Sequence, residues 1–537
     1  MGKNNKQEGA VKQSWFDKFL SGLERACNKL PPPAILFIYL FVITAILGCL
    51  FALLKVHVFN PATGKDVYAQ NLFTNDGLKW FISNMVTNFT GFTPLGLVLV
   101  MTLAIGMCEE SGLIHALLTD KLRNVPPVIL PFVVAFVGTI GNLASDTAMV
   151  VIPPIAAILY LAAGKHPIVG MICGYAGAQA GFSANLMIAG TDGLLQGHTQ
   201  KAVNAFLEGS GVTFDVDVTC NWIFMFASTF LCAAVIGWVC NAIVDKRFGK
   251  YEPKGDVDLD TTLKEITPQE KKALRWSGIA ALAYLVLVVV AFFFTSLGKD
   301  VSVDGKVVGW EPVLVGSNLI KNLIPILFFF FVIPGLVYGF VSKKFKESKD
   351  VVKGMNHQMA AMGSYVVFCF FCGQFQALFN WTNLGTIIAV SGANLLKSIG
   401  FTGFGMIVAF ILLTGLINLL VPSGSAKWGF MAPVFVPMLM LLNYHPGFIQ
   451  LIYRLGDSPS NAFTPLSPYL WVTLGVAQVK YDKDLKIGTL AAGLFPIGIV
   501  LQVAWIIFLA IWMLLNIPIG PGVGIHLPEE LAFLALK

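Results

Sequence analysis

Two interrupted apolar stretches, one in each half of the chain, constrain this sequence more than any other feature. The first runs from Asn142 to about Asp192 and the second from Pro422 to about Leu470. Each holds a hydroxyl-bearing tip, a proline-interrupted apolar run, a His-Pro step and a small-residue run that ends in polar residues. Ser145 pairs with Ser425, Pro153 with Pro433, His166-Pro167 with His445-Pro446 and Tyr175 with Tyr453. The offset drifts only from 280 to 278. A helix broken inside a bilayer leaves backbone N–H and C=O groups that hydrocarbon cannot satisfy. Such breaks persist where they face protein, water, ions or substrate, and paired breaks in corresponding halves point to a secondary transporter's binding site.

The composition makes the bilayer the solvent. The 537 residues are 56% hydrophobic and only 12% charged, against about 25% charged in a soluble domain. Ala34–Leu54, Trp222–Val244, Trp276–Thr295 and Leu319–Val341 are apolar runs of about 20 residues, the length that spans a membrane. The net charge of +6 reflects basic loops beside these spans, the positive-inside pattern, and not a nucleic-acid partner. The first thirty residues are polar and basic and lack the apolar core of a signal peptide. Cys369 and Cys372 have C-x-x-C spacing inside an apolar span, which fits small packing residues better than a metal or redox site.

Alternating the spans gives an all-α integral membrane fold of nine transmembrane helices and two re-entrant hairpins. A cytoplasmic N-terminal segment (1–30) precedes a first membrane half (31–244), a basic cytoplasmic linker (245–275), a second half (276–520) and a C-terminal tail (521–537). The first span, about 34–54, runs outward, and the loop 56–84 outside carries a surface helix near 78–85. The first hairpin, about 126–141 and 147–163, enters from the cytoplasm. The second, about 403–421 and 427–442, enters from outside. The broken spans begin at Pro167 and Pro446. Charge agrees with this map, because the inside loops hold most of the Lys and Arg. The repeats are therefore inverted in topology, with the N-terminus cytoplasmic and the C-terminus external.

Half-helix N-termini attract anions, while free carbonyls and hydroxyls coordinate cations. Ser145 and Asp146 at the first tip offer hard oxygens for Na⁺, or cap the returning helix. Asn185 in the opposing break completes such a shell. Asp192 beyond it is an ion or proton site, or a boundary residue. Ser423 and Ser425 at the second tip supply hydroxyls, and Ser423 and Thr464 join the cation-coupling set. Trp428 stacks on an aromatic ligand or fills space. Lys427 meets a carboxylate or snorkels to the outer surface. Arg454 and Asp457, three apart, share one helix face. Arg454 suits a substrate carboxylate, and Asp457 holds Arg454 or exchanges protons; the alternative is an ion pair that only staples helices. Asn418 adds a hydrogen bond from the descending arm. Glu109-Glu110 marks a membrane boundary, and His166 and His445 mark turns or, less simply, a proton relay.

These stretches resemble the AbgT family, the p-aminobenzoyl-glutamate transporters. The resemblance runs from P-P-P-A-I-L-F-I-Y-L at Pro31 to N-I-P-I-G-P-G at Asn516. Its most specific parts are S-D-T-A-M-V-V-I-P-P at Ser145, G-F-S-A-N-L at Gly181, P-S-G-S-A-K-W at Pro422, Y-R-L-G-D-S at Tyr453 and T-P-L-S-P at Thr464. It implies a dimer with a fold similar to the dicarboxylate carriers of the ion-transporter superfamily. It implies functional positions at Asp192, Asn418, Ser425, Trp428, Arg454, Asp457 and Pro465. It also implies uptake of p-aminobenzoyl-glutamate across a bacterial inner membrane; some members look instead like proton-driven exporters of sulfonamides.

The expectation is a secondary transporter of an aromatic or dicarboxylate anion, with Na⁺ or H⁺ as coupling ion and no other cofactor. A membrane enzyme is disfavoured, since no H-E-x-x-H, G-x-S-x-G or G-x-x-x-x-G-K-[ST] pattern occurs. A channel would conduct without saturable exchange.

Overall fold

The computed structural model describes residues 33–535 except 62, 115, 118–125, 145–146, 252–265, 304–305, 314–316 and 465–466. The N-terminal segment, much of the linker and three candidate positions, Ser145, Asp146 and Pro465, therefore lie outside the described residues.

The chain is mostly helical. The first half begins with α1 (Pro33–Leu53), α2 (Asn75–Thr90) and α3 (Thr93–Glu110). A helical hairpin follows, α4 (Leu130–Gly141) and α5 (Thr147–Ala162), with a short 3-10 turn at Asn142–Ala144. Then comes a broken helix, α6 (Pro167–Ala180) and α7 (Gly190–Leu207), and α8 (Trp222–Val239), which continues through a π turn to Phe248. The second half holds α9 (Pro268–Phe294), α10 (Leu323–Val341), α11 (Ser348–Ala361), α12 (Gly363–Trp381) and α13 (Leu384–Ser398). A second hairpin, α14 (Phe404–Leu420) and α15 (Gly424–Met440), precedes a second broken helix, α16 (Pro446–Asn461) and α17 (Pro468–Lys480); α18 (Ile487–Leu514) follows. Five of these helices are long and apolar enough to cross a membrane. On α9, Leu282, Leu287 and Phe294 are 63%, 64% and 77% exposed. A soluble protein rarely leaves so continuous an apolar face open to water, and lipid is its natural cover.

The two units are built alike. Both broken helices open with His-Pro, where proline's fixed φ suits the first helical position and costs no hydrogen bond. The His166 and His445 Nδ1 atoms accept from the N–H of Ile168 at 3.3 Å and Gly447 at 2.9 Å, so both histidines mark turns as caps. Every residue of α6 and of α16 is buried. Small residues let the hairpin arms lie close against them. A Cβ on Gly138 of α4 would stand 2.8 Å from Gly177 Cα of α6, and one on Gly456 of α16 would run into the Ile411 carbonyl of α14. One apolar core joins both units, with Tyr160, Phe206 and Phe224 from the first half and Phe410, Phe448 and Trp505 from the second. A second cluster packs Phe37 of α1 against Phe368 and Phe375 of α12, with Phe92 beside them.

The structure adds elements that an all-α reading misses. Two antiparallel hairpins, β1 (His57–Asn60) with β2 (Lys65–Tyr68) and β3 (Lys299–Val303) with β4 (Lys306–Glu311), fold the loops after α1 and α9. Valines and aromatic residues in these strands favour the pairings, and Gly64 at φ +65° lies in the turn of the first. Helices α11 and α13 were not expected either. The polar residues within each, such as Ser391, Gly392 and Asn394 of α13, read as loop signals in isolation.

Candidate functional site

Each break is buried and tied to a helix of the other unit. Ser183 N–H in the first break donates to Ser458 Oγ of α16 at 3.2 Å. Tyr175 and Gln179 of α6 reach Ser467 Oγ, beside the second break, at 3.0 and 3.3 Å. At the end of each descending arm an asparagine binds the facing half-helix. Asn142 donates to the Gly181 carbonyl at 3.3 Å. Asn418 lies within 3.0 Å of the Asp457 carbonyl, Ser460 Oγ and Asn461 Oδ1.

Around this crossing lie four buried charges, Asp192, Lys427, Arg454 and Asp457, none more than 5% exposed. The sequence spacing suggests that Asp457 holds Arg454. The structure corrects this pairing. Arg454 Nη1 meets Asp192 Oδ1 at 2.6 Å, and Lys427 Nζ meets Asp457 Oδ1 at 2.6 Å. Side chains on a helix lean toward its N-terminus, so Arg454 leans away from Asp457. Its Nη2 also donates to the Ser183 carbonyl at 2.9 Å. Asp192 uses its second oxygen to accept the Ala189 N–H at 2.6 Å, capping α7. The open alternatives for Lys427 are resolved: it is fully buried and also donates to Asn418 Oδ1 at 2.7 Å.

Trp428 is fully buried, with its ring 4.3 Å from that of Tyr453. Its indole Nε1 donates to Thr199 Oγ1 at 2.9 Å. From there a chain passes to Gln450 at 2.7 Å, to Asn221 at 3.1 Å and to Arg454 at 3.4 Å. Tyr453 Oη donates to the Gly424 carbonyl at the hairpin tip. Ser423 Oγ caps α15 by accepting the Ala426 N–H at 3.3 Å, and Ser425 Oγ lies 3.5 Å from it.

Several buried polar atoms in and near the breaks have no partner among the described residues. These are both side-chain ends of Asn185, Asn142 Oδ1, Thr191 Oγ1, Thr464 Oγ1 and Arg454 Nε. Buried orphans are rare because each costs about 1–3 kcal/mol. Their concentration here fits a place where water, an ion or a substrate supplies the missing bonds. The donor set suits a hard cation through the oxygens of Asn142, Asn185 and Thr464, and a carboxylate through Arg454 Nε.

The family described as "AbgT putative transporter family" matches residues 18–527. The chain belongs to the AbgT transporter family. It is 33% identical over 509 residues to the p-aminobenzoyl-glutamate transport protein of Escherichia coli (strain K12), covering 94% of this chain and 96% of that one. The AbgT fold is met again among solved structures. The YdaH transporter of Alcanivorax borkumensis, reported to have an unusual topology, superposes with a TM-score of 0.81 at 34% identity, over 91% of this chain and 100% of that chain. Neisseria gonorrhoeae MtrF, described as illuminating a class of antimetabolite efflux pumps, gives 0.84 at 36% identity, over 94% of this chain and 100% of that chain. As an AbgT member the protein is a multi-pass membrane transporter of small molecules.

The structure links Asp192, Asn418, Trp428, Arg454 and Asp457 through hydrogen bonds and ion pairs, with Ser423 and Ser425 at the adjoining hairpin tip; Asn185 and Thr464 are buried, with side-chain atoms that have no partner among the described residues. Sequence reasoning missed Thr199, Asn221 and Gln450. Gln450 had a signal: with Arg454, Asp457 and Asn461 it forms a polar stripe at i, i+4, i+7 and i+11. Thr199 and Asn221 had none.

Proposed function

We propose that the protein is a secondary active transporter that takes up p-aminobenzoyl-glutamate, or a related aromatic or dicarboxylate anion, with Na⁺ or H⁺ as the coupling ion. The observation that carries this reading is the Asp192–Arg454 pair at 2.6 Å beside a break with unpartnered polar atoms. A guanidinium held by one carboxylate, with Nε free, is ready to exchange that carboxylate for the substrate's. The carboxylate so released needs a cation, which is the coupling ion. Asp192, Asn185 and Thr464, with Ser145, Asp146 and Ser423, are the groups assigned to it. Trp428 offers the ring face for the aminobenzoyl group, with Asn418, Ser425, Asp457 and Pro465 completing the substrate side. The name of the Escherichia coli relative supports the substrate class. In this reading the helical hairpins are re-entrant, and nine spans place the N-terminus in the cytoplasm. The protein works as a homodimer in the bacterial inner membrane and performs no enzymatic reaction.

A second reading, export of sulfonamide antimetabolites, is favoured by the 36% identity to MtrF. The test is uptake of labelled p-aminobenzoyl-glutamate by purified protein in proteoliposomes under separately imposed Na⁺ and H⁺ gradients. The proposal expects saturable accumulation under one gradient. Transport of labelled sulfonamide alone, driven by exchange for protons, would replace it with the second reading. Ohmic, non-saturating conductance would point to a channel.

A further inference from the structure

Among the described residues, the buried Asp, Glu, Lys and Arg side chains are Asp192, Lys427, Arg454 and Asp457. Two cations face two carboxylates, so the set is formally neutral. Each cation takes one carboxylate at 2.6 Å, in two separate pairs. Arg454 and Asp457 stand three residues apart on α16, a rise of about 4.5 Å. The Arg454 pair reaches α7, beyond the first break. The Asp457 pair reaches the first turn of α15, at the tip of the second hairpin. There the helix N-terminus favours negative charge, and the half-buried hydroxyls of Ser423 and Ser425 stand close by. Tyr453 lies beside the Lys427 pair. Its ring is 4.3 Å from that of Trp428 and 5.5 Å from Lys427 Nζ.

We propose that Lys427 is a second carboxylate-binding residue, so that a dicarboxylate substrate displaces Asp192 from Arg454 and Asp457 from Lys427. The inference rests on the anionic substrate read above. An aromatic group on the Trp428–Tyr453 face leaves one carboxylate for each cation. Charge balance then sets the coupling. The empty site is neutral, and a dianion brings two negative charges into a medium where unpaired charge is costly. Each displaced carboxylate therefore takes up one cation, a proton or a sodium ion. A dicarboxylate carries two cations with it, and a monocarboxylate carries one. Lys427 also becomes a specificity residue: a monocarboxylate such as p-aminobenzoate has no second carboxylate and gains nothing from it.

The experiment uses the purified full chain and two probes, p-aminobenzoyl-glutamate and p-aminobenzoate. Binding affinities and cations taken up per bound probe are measured for the wild type and for the double variant Lys427→Met/Asp457→Asn. The double variant removes both charges together and leaves no unpaired one. The expected result is a fall of roughly tenfold, 1.4 kcal/mol, in the dicarboxylate-to-monocarboxylate affinity ratio. Without Lys427 the second carboxylate stays in water outside the site, so only one negative charge is buried and the cation count for the dicarboxylate falls from two to one. A purely structural pair would weaken both probes together, and an unchanged ratio overturns the proposal. If the double variant does not fold, the wild-type count decides: two cations per dicarboxylate supports the proposal and one overturns it. A wild type that binds neither probe overturns the substrate reading itself, and this inference with it.

Discussion

At the scale of single residues, the site is governed by which carboxylate each cation finds. An i, i+3 ion pair on a helix surface contributes only about 0.2–0.5 kcal/mol. That is too little to hold Arg454 on Asp457 when Asp192 offers a buried partner at 2.6 Å. Asp192 has two tasks, since its other oxygen accepts the Ala189 N–H. The Asp192→Asn variant keeps an oxygen for that N–H and loses the charge on Arg454. We expect transport to continue with a response to the coupling gradient reduced roughly tenfold, read in proteoliposomes, and a folded yield lowered by the ~3–5 kcal/mol cost of unpairing a buried cation. A wild-type gradient response would remove Asp192 from coupling.

At the scale of elements, caps and termini decide where helices start and what they hold. The turns at His166 and His445 that open α6 and α16 were visible as His-Pro patterns, whereas the sequence marks the Ser423 cap of α15 only as a hydroxyl ligand. The amphipathic α11 was not visible. It follows a run of lysines, and its Asp350 accepts the N–H of Lys346 at 2.7 Å and of Glu347 at 3.1 Å, closing the first turn. Its His357 meets Glu110 at the end of α3, giving Glu110 a partner that a boundary residue did not require. The Glu110 carboxylate raises the His357 pKa above its ordinary value of 6.5. A raised histidine stabilises the fold fully below its unfolded value and loses that contribution as pH rises through the folded one. The contact between α11 and α3 should therefore be tightest below about pH 6.5. Hydrogen exchange of α11 at pH 5.5 and 8.5, compared with His357→Asn, checks this. Equal protection at both pH values would show that the contact does not titrate.

At the scale of the whole molecule, the two units are held by bonds that cross between them. Ser467 accepts from both Tyr175 and Gln179, so each unit's helix depends on the other's break. Replacing Ser467 with Ala leaves the buried Tyr175 hydroxyl without this acceptor. The expected cost is about 1–3 kcal/mol, read as a lower melting temperature in detergent. No change in melting would mean that the crossing relaxes around the loss. The resemblance to solved AbgT structures extends over nine-tenths or more of the chain, so the likeness lies in the fold as a whole and not in a local motif.

The sequence by itself determined the medium, the repeat and the positions of the breaks. These are local facts: a bilayer demands long apolar helices, and any interruption of one must show in the residues at that point. It also marked Asp192, Trp428, Arg454 and Asp457, because polar groups stand out in an apolar run. What only the tertiary structure decided is who meets whom. Lys427 finds Asp457 thirty residues away, Arg454 finds Asp192 across the two halves, and Trp428 finds Thr199. Those partnerships depend on helices of the two units packing across one another, and a pattern read along one chain carries no distance between its halves. The matched stretches that begin at Asn142 and Pro422 announced that such a crossing exists, and the fold supplied its charges in pairs.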